Sequence, residues 1–265
     1  MNGTMDSFIL QTVFPFILAA AVVVIITVIA ERYGTKVGGI LGTLPSTMVV
    51  AFIFIYLNKG ADFASDAAVV IPAEIGINML FLLTFALLVK RSVAGAFSAS
   101  FLVWMVLTSV LYLSDLQTMA IAVVIYALSV GFSLFVMEGL VKIRSSDRVR
   151  IHYTPGKLIL RGILAGVFIA TAVLLSNVSS TLSGIVTVFP VIIASAMFIT
   201  VREHGPKFAA GMAKSMSFGT PSVVCYAVSI HFLYPVWGLL WGSLAAYGFS
   251  TAVTAVLFSL RSRLS

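Results

Sequence analysis

The sequence predicts an all-α, polytopic integral membrane protein of about nine transmembrane helices, arranged as two inverted four-helix repeats plus one linker helix. Three observations predict it. The chain is 60% hydrophobic and 9% charged, where soluble domains carry roughly a quarter charged residues. Apolar runs of about 20 residues, the length that crosses a bilayer core, follow one another with short connections and leave no room for a soluble domain. A motif near the start of the chain also returns, in unbroken register, at an offset of 145 residues.

Taken in order, the spans are 8–31, 37–58, 62–89, 92–113, 116–141, 157–176, 181–201, 206–233 and 235–260. The first follows Met1 to Ser7, which carries Asp6 and neither Lys nor Arg. It therefore does not read as a cleavable signal and is expected to stay in the mature chain. Connections run to a few residues except between the fifth and sixth spans, where Lys142, Arg144, Asp147, Arg148, Arg150, His152 and Lys157 surround Pro155 and Gly156. That segment divides the chain into a first repeat at 1–115, a linker helix with its basic loop at 116–156, and a second repeat at 157–265.

Cytoplasmic loops collect Lys and Arg. With the N-terminus outside, Arg32, Lys36, Lys90, Arg91, Lys142, Arg144, Arg148, Arg150, Lys157, Arg161, Arg202, Lys207, Arg261 and Arg263 all fall on the cytoplasmic side. Lys59 alone faces out, and Lys214 lies inside the eighth span. The sequence thus predicts a multi-pass protein of the cell membrane with a cytoplasmic C-terminus. The net charge of +7 is this topological signal rather than a nucleic-acid surface; the basic loop would also suit anionic lipid headgroups.

The second span opens with Gly38-Gly39-Ile40-Leu41-Gly42-Thr43-Leu44-Pro45, and the seventh with Ser183-Gly184-Ile185-Val186-Thr187-Val188-Phe189-Pro190. The same offset lays Ala51 on Ala196, Gly60 on Gly205, Phe63 on Phe208, Ala64 on Ala209 and Ala68 on Ala213. Copies five spans apart start from opposite sides of the membrane, so the repeat is inverted. Spans 1 to 4 pair with 6 to 9, and the fifth is left over. Inverted repeats about an in-plane axis are a recurring plan of secondary transporters, with the solute site near the midplane.

Gly34, Gly38 and Gly42, with Ser179, Ser183 and Thr187 at the aligned places, form a small-residue stripe suited to close helix packing. Pro45 and Pro190 each free a carbonyl one turn back, which inside a bilayer must be met by protein or by a water-filled cavity. Thr43, Ser46 and Thr47 flank the first of them as a candidate polar site; a kink that only shapes packing is the alternative. Glu74, in Ile71-Pro72-Ala73-Glu74-Ile75-Gly76-Ile77-Asn78, is the one carboxylate deep within a span. Asn78 shares its helix face. A lone charge at that depth costs about 3 kcal/mol or more, so Glu74 is expected to be protonated, paired or hydrated, and each state suits proton or cation coupling. A structural hydrogen-bonding role is the competing reading. In the eighth span, Lys214, Ser217 and Pro221 share a face, with Thr220 beside them. Lys214 either snorkels to the interface or meets Glu74 across the repeat boundary. Glu138 is expected to pair with Lys142 four residues on.

Trp104, Trp237 and Trp241, with Tyr33, Tyr112, Tyr153 and Tyr234, read mostly as interfacial belts. His152, His204 and His231 lie apart, without metal-ligand spacing, and Cys225 is a packing residue. Hydrolase, nucleotide-binding and zinc-protease motifs are missing from the sequence. The expectation is no catalytic residue, no metal and no cofactor. The expected partners are the lipid bilayer and a small solute or ion, with no nucleic acid and a homo-oligomer left open. Asn2-Gly3-Thr4 and Asn177-Val178-Ser179 match the glycosylation pattern on the predicted outer side.

The stretch Ser183-Gly184-Ile185-Val186-Thr187-Val188-Phe189-Pro190, then His204-Gly205, then Ser217-Phe218-Gly219-Thr220-Pro221-Ser222-Val223-Val224-Cys225-Tyr226, resembles the GlpM-like small membrane proteins, four-helix chains of about half this length. The resemblance implies a fused tandem of two such units, the fifth span being inserted to invert the second. It implies no activity, since none is settled for that family.

The expected function is transport of a small solute or ion through a midplane site made by spans 2, 3, 7 and 8. Glu74 would be the coupling or cation-binding acid. Asn78, Thr43, Ser46, Thr47, Ser217 and Thr220 would line the site beside Pro45, Pro190 and Lys214. A lipid flippase or scramblase, marked by a polar groove open to lipid, and a non-transporting membrane scaffold are the rival readings, with an intramembrane enzyme last.

Overall fold

Apolar runs punctuated by proline and glycine dictate helices that are interrupted within the apolar runs as well as between them. In the computed structural model, residues 9–143 and 154–264 are described, with the side chains of 10, 30–43, 258 and 260–264 left out. The basic loop at 144–153, the Asn2 pattern and the side chain of Thr43 lie outside the described residues. Among those described, the chain forms α1 Phe14–Thr43, α2 Ser46–Lys59, α3 Ala61–Val69, α4 Ile71–Leu88, α5 Val93–Leu113, α6 Met119–Leu134, α7 Pro155–Leu175, α8 Ser180–Thr187, α9 Val191–Met216 and α10 Thr220–Leu264. A π-turn at Ile9–Val13 leads into α1, another at Phe135–Leu140 extends α6, and a 3-10 turn at Ser217–Gly219 joins α9 to α10.

Six helical runs among the described residues are long and apolar enough to cross a membrane. The chain is an all-helical, membrane-embedded protein. One run, Ser180–Leu257, has 78 residues; as a rod it would measure about 117 Å against a bilayer core of about 30 Å. Gly205 and Gly238 divide it with non-helical backbone. The opposite difference appears at the start of the chain, where α1 runs through the connection expected at 32–36. It is not straight. Thirty helical residues extend about 45 Å and the fourteen of α2 about 20 Å, yet Gln11, just before α1, donates to Asn58, near the end of α2, at 2.6 Å. The path from α1 into α2 therefore returns toward the start of α1.

The two proline breaks are the same turn. Ser46 N–H donates to the Leu44 carbonyl at 2.8 Å and Val49 N–H to Pro45 at 2.9 Å; Val191 N–H donates to Phe189 at 2.8 Å and Ala194 N–H to Pro190 at 2.7 Å. At the far end of the helix that follows, Gly60 has φ 88° and ψ −178°, and Gly205 has φ 81° and ψ 171°. Such backbone is nearly confined to glycine. Among the described residues, apart from the chain neighbours, no heavy atom lies within 4 Å of where a Cβ would stand at either position, so an alanine there probes the backbone alone. Gly60→Ala and Gly205→Ala are each expected to cost about 1–3 kcal/mol, read as matched drops in melting temperature of the purified protein. A loss at one position only would mean that the two bends are not equivalent.

The most extensive helix pair is α1 with α7. Asn177 bonds Gln11 at 2.8 Å, Gly166 lies against Phe16, and Gly162 against Ala20 and Val24. One chain advances as the other retreats, so these helices run antiparallel. At this end Asn58 also donates to Ser176 at 2.6 Å, closing a polar ring of Gln11, Asn58, Ser176 and Asn177. At the centre, α4 is buried from Ile71 to Met79 without interruption. It packs on α5, α6 and α9, while α3 packs on α8 and α10. The outer faces of α5 and α6 expose Leu102, Met105, Val106, Ile121, Val124 and Leu128, as helices facing lipid do.

Candidate functional site

Pro72 lacks the N–H that would continue the ladder where α3 passes into α4, but Val70 keeps helical backbone at φ −75° and ψ −20°, and Ala61–Leu88 forms one apolar helical run of 28 residues. Glu74 follows just after Pro72, its own N–H bonded to the Val70 carbonyl at 3.0 Å. Its side chain is completely buried. Trp104 Nε1–H donates to Oε1 at 2.6 Å, and the Thr108 hydroxyl lies 2.9 Å from Oε1 and 3.1 Å from Oε2. Trp104 and Thr108 stand one turn apart on α5 and so share a face. The described ion pairs are Lys157 with Glu203, His204 with Glu203, and Lys214 with Glu138. None includes Glu74, whose described side-chain partners are neutral donors.

One turn further along α4, Asn78 is 1% exposed and donates from Nδ2 to the Val188 carbonyl at 2.8 Å. A carbonyl can only accept, which fixes the orientation of the amide. Val188 sits in the break between α8 and α9, and its carbonyl there is met by protein, as the bilayer demands. The other amide atom, Oδ1, is buried without a partner among the described residues. Phe189, next in the same break, lies edge-on to Trp104 at 4.7 Å between ring centres and stacks on Phe168 at 4.3 Å. The Val188–Pro190 break thus holds both ends of the site: its carbonyl orients Asn78 and its phenyl ring steadies the indole that binds Glu74. On the other side of α4, Gly76 lets Tyr126 and Ser129 of α6 come close, a Cβ there standing 3.1 Å from each.

The structure brings some expected residues together and separates others. Glu74 and Asn78 lie one turn apart on α4, and buried Pro190 reaches them only through its neighbours Val188, bonded to Asn78, and Phe189, packed on Trp104. Thr220 bonds Tyr126 Oη at 2.9 Å and the Ser217 carbonyl at 2.9 Å; the buried Ser217 Oγ has no partner among the described residues. These two residues join the site only through Tyr126, whose neighbour is Gly76. Pro45 is buried at its own break, Thr47 is half-buried, and the Ser46 hydroxyl is buried without a described partner; no described hydrogen bond links them to Glu74. Lys214 neither snorkels freely nor reaches Glu74. It pairs with Glu138 at 2.9 Å and donates to the Ile143 carbonyl at 3.0 Å, with its side chain 12% exposed. That contact takes the place of the expected pairing of Glu138 with Lys142, because the helix ends in a π-turn and Lys142 has φ 53°.

Sequence reasoning missed Trp104, Thr108, Phe189 and Tyr126. For the first two a signal existed: Trp104 sits near the middle of α5 rather than at an end, where belt residues lie, and Thr108 follows it at helical spacing. The outer side of Trp104 and Phe189, with Ser98, Phe101, Leu102 and Met105, lines a groove of about 500 Å³.

Residues 12–117 match the model of a family described as "Protein of unknown function (DUF3147)". The matched stretch reaches from the first expected span to just past the boundary expected at 115. No curated protein and no solved structure matches the chain.

Proposed function

We propose that this chain is a secondary transporter of the cell membrane that moves a small solute or ion past Glu74, with that acid as the coupling group. The observation that carries the reading is a carboxyl group fully enclosed within a bundle of apolar helices and held by neutral partners. An ionised Glu74 accepts from both Trp104 and Thr108. A protonated one donates to Thr108, whose hydroxyl can reverse from donor to acceptor, while Trp104 still donates to the other oxygen. The cradle therefore suits both states without repacking, which is what a group that loads and unloads a proton or cation requires.

The plan around the site is read as two inverted repeats across about nine spans, with the N-terminus outside. The antiparallel course of α1 and α7, the matching turns at Pro45 and Pro190, and the matching bends at Gly60 and Gly205 support it. A fused tandem of GlpM-like units fits the same plan, as does a family match confined to the first half. The rival lipid-handling reading calls for a polar groove; the groove beside Trp104 is lined chiefly by apolar and aromatic side chains.

The test is pH-driven flux over a panel of solutes into vesicles containing the purified protein, beside the Glu74→Gln variant. Wild-type flux of at least one solute, lost in the variant, is expected. Equal flux in both would retire Glu74, and fluorescent-lipid translocation without solute flux would favour the lipid-handling reading.

A further inference from the structure

We infer that the ligand of this site is a lipophilic organic cation that enters sideways from the bilayer through the groove on α5. The inference rests on the reading of Glu74 as the binding acid and adds to it a substrate class and a route. The groove holds about 500 Å³ and is walled by Phe101, Trp104 and Phe189 with Leu102, Met105 and Ser98, a volume within the range of about 300–1,000 Å³ usual for small-molecule sites. Leu102 and Met105 at its rim are each 55% exposed on a membrane-spanning helix, so its mouth opens toward lipid tails rather than water.

Trp104 is the wall between this groove and the acid: one side of its indole lines the groove, and its N–H rests on Glu74 at 2.6 Å. A modest swing of the indole would join the two. Each neighbour then selects a different property of the ligand. The apolar floor selects a molecule that partitions into the bilayer. The rings of Trp104, Phe101 and Phe189 attract a cation through their faces. Glu74, which lacks a cation among the described ion pairs, supplies the opposite charge. An inorganic ion would gain nothing from the aromatic wall, a neutral lipophile nothing from the acid, and an anion would be repelled.

The experiment uses the full chain in nanodiscs and radiolabelled tetraphenylphosphonium, competed with the uncharged triphenylphosphine oxide, at equilibrium and without any gradient. Saturable binding of the cation is expected, with the neutral competitor at least tenfold weaker. Glu74→Gln should remove that preference. Met105→Trp, a bulky change at an exposed position that leaves Glu74 untouched, should block the groove and lower affinity tenfold or more, with folding of each variant checked by its melting temperature. Absence of saturable binding, equal binding of the charged and neutral probes, or a cation preference that persists in Glu74→Gln would overturn the inference. Binding is measured apart from flux, so the two readings fail separately. Cation binding without pH-driven flux removes the transporter and leaves the site, whereas Glu74-dependent flux of other solutes without cation binding does the reverse.

Discussion

Replacing Glu74 by Gln is expected to reduce pH-driven flux to the level of protein-free vesicles while the protein still folds. Glutamine has the shape of the acid, and its amide oxygen can accept from Trp104 Nε1, which lies 2.6 Å from Glu74 Oε1. Its NH₂ meets the Thr108 hydroxyl, which can turn to accept. The price in stability is then at most about 1–2 kcal/mol for imperfect hydrogen bonds in a buried site. What disappears is the ability to exist in two charge states. A carboxyl group that only held α4 to α5 would lose little by this substitution, so preserved flux with a preserved melting temperature would leave Glu74 a structural residue. Thr108→Val separates the roles further: it keeps the volume and removes the one partner able to reverse, and is expected to slow flux while cation binding at Glu74 persists.

The largest loss of stability is expected from Gly184→Ala. A Cβ at this position would collide with the backbone carbonyl of Ala67 and stand 2.7 Å from Val70 Cγ1. A carbonyl on a packed helix cannot rotate away, so α8 would have to separate from α3. Overpacking of a tight contact costs about 1–3 kcal/mol and at times more; here, with backbone as the obstacle, about 3 kcal/mol or above is expected. The affected helix ends at Thr187, next to the Val188 carbonyl that orients Asn78, so the site should be disturbed along with the fold. Gly131→Ala is the control: among the described residues, nothing beyond its own helix backbone lies within 4 Å of where its Cβ would stand, and a mid-helix alanine is favoured over glycine by up to about 1 kcal/mol. The readout is the yield of monodisperse protein and its melting temperature. Equal behaviour of the two variants would contradict the close approach of α3 and α8.

Much of the backbone was legible because membrane helices are written in local signals. Gly60, Gly205 and the two prolines interrupt apolar runs, and each marks a real interruption. Within the stretch of the second small-residue stripe, Ser183 Oγ bonds the Ala172 carbonyl at 2.7 Å, and the adjacent Gly184, outside the stripe, is the residue that lies against α3. Glu74 and Asn78 were visible as rare polar residues in an apolar helix. Their partners were not, since those depend on the register of α4 against α5, which brings Glu74 to Thr108, Phe81 to Phe101 and Phe85 to Phe97. Lys214 shows the same limit. Local spacing offered Glu138 the nearby Lys142, but the end of the helix turned that residue away and tertiary packing supplied Lys214.

The inverted plan is tested most directly by asking which side of the membrane two equivalent positions face. Lys59 and His204 are related by the 145-residue offset, stand just before the matched glycine bends, and are both exposed. Cys225 is the single cysteine, so a Cys225→Ser chain gives a clean background for Lys59→Cys and His204→Cys. With a membrane-impermeant thiol reagent on intact cells, the account predicts labelling of the first position from outside and of the second only after permeabilisation. Labelling of both from the same side would contradict it.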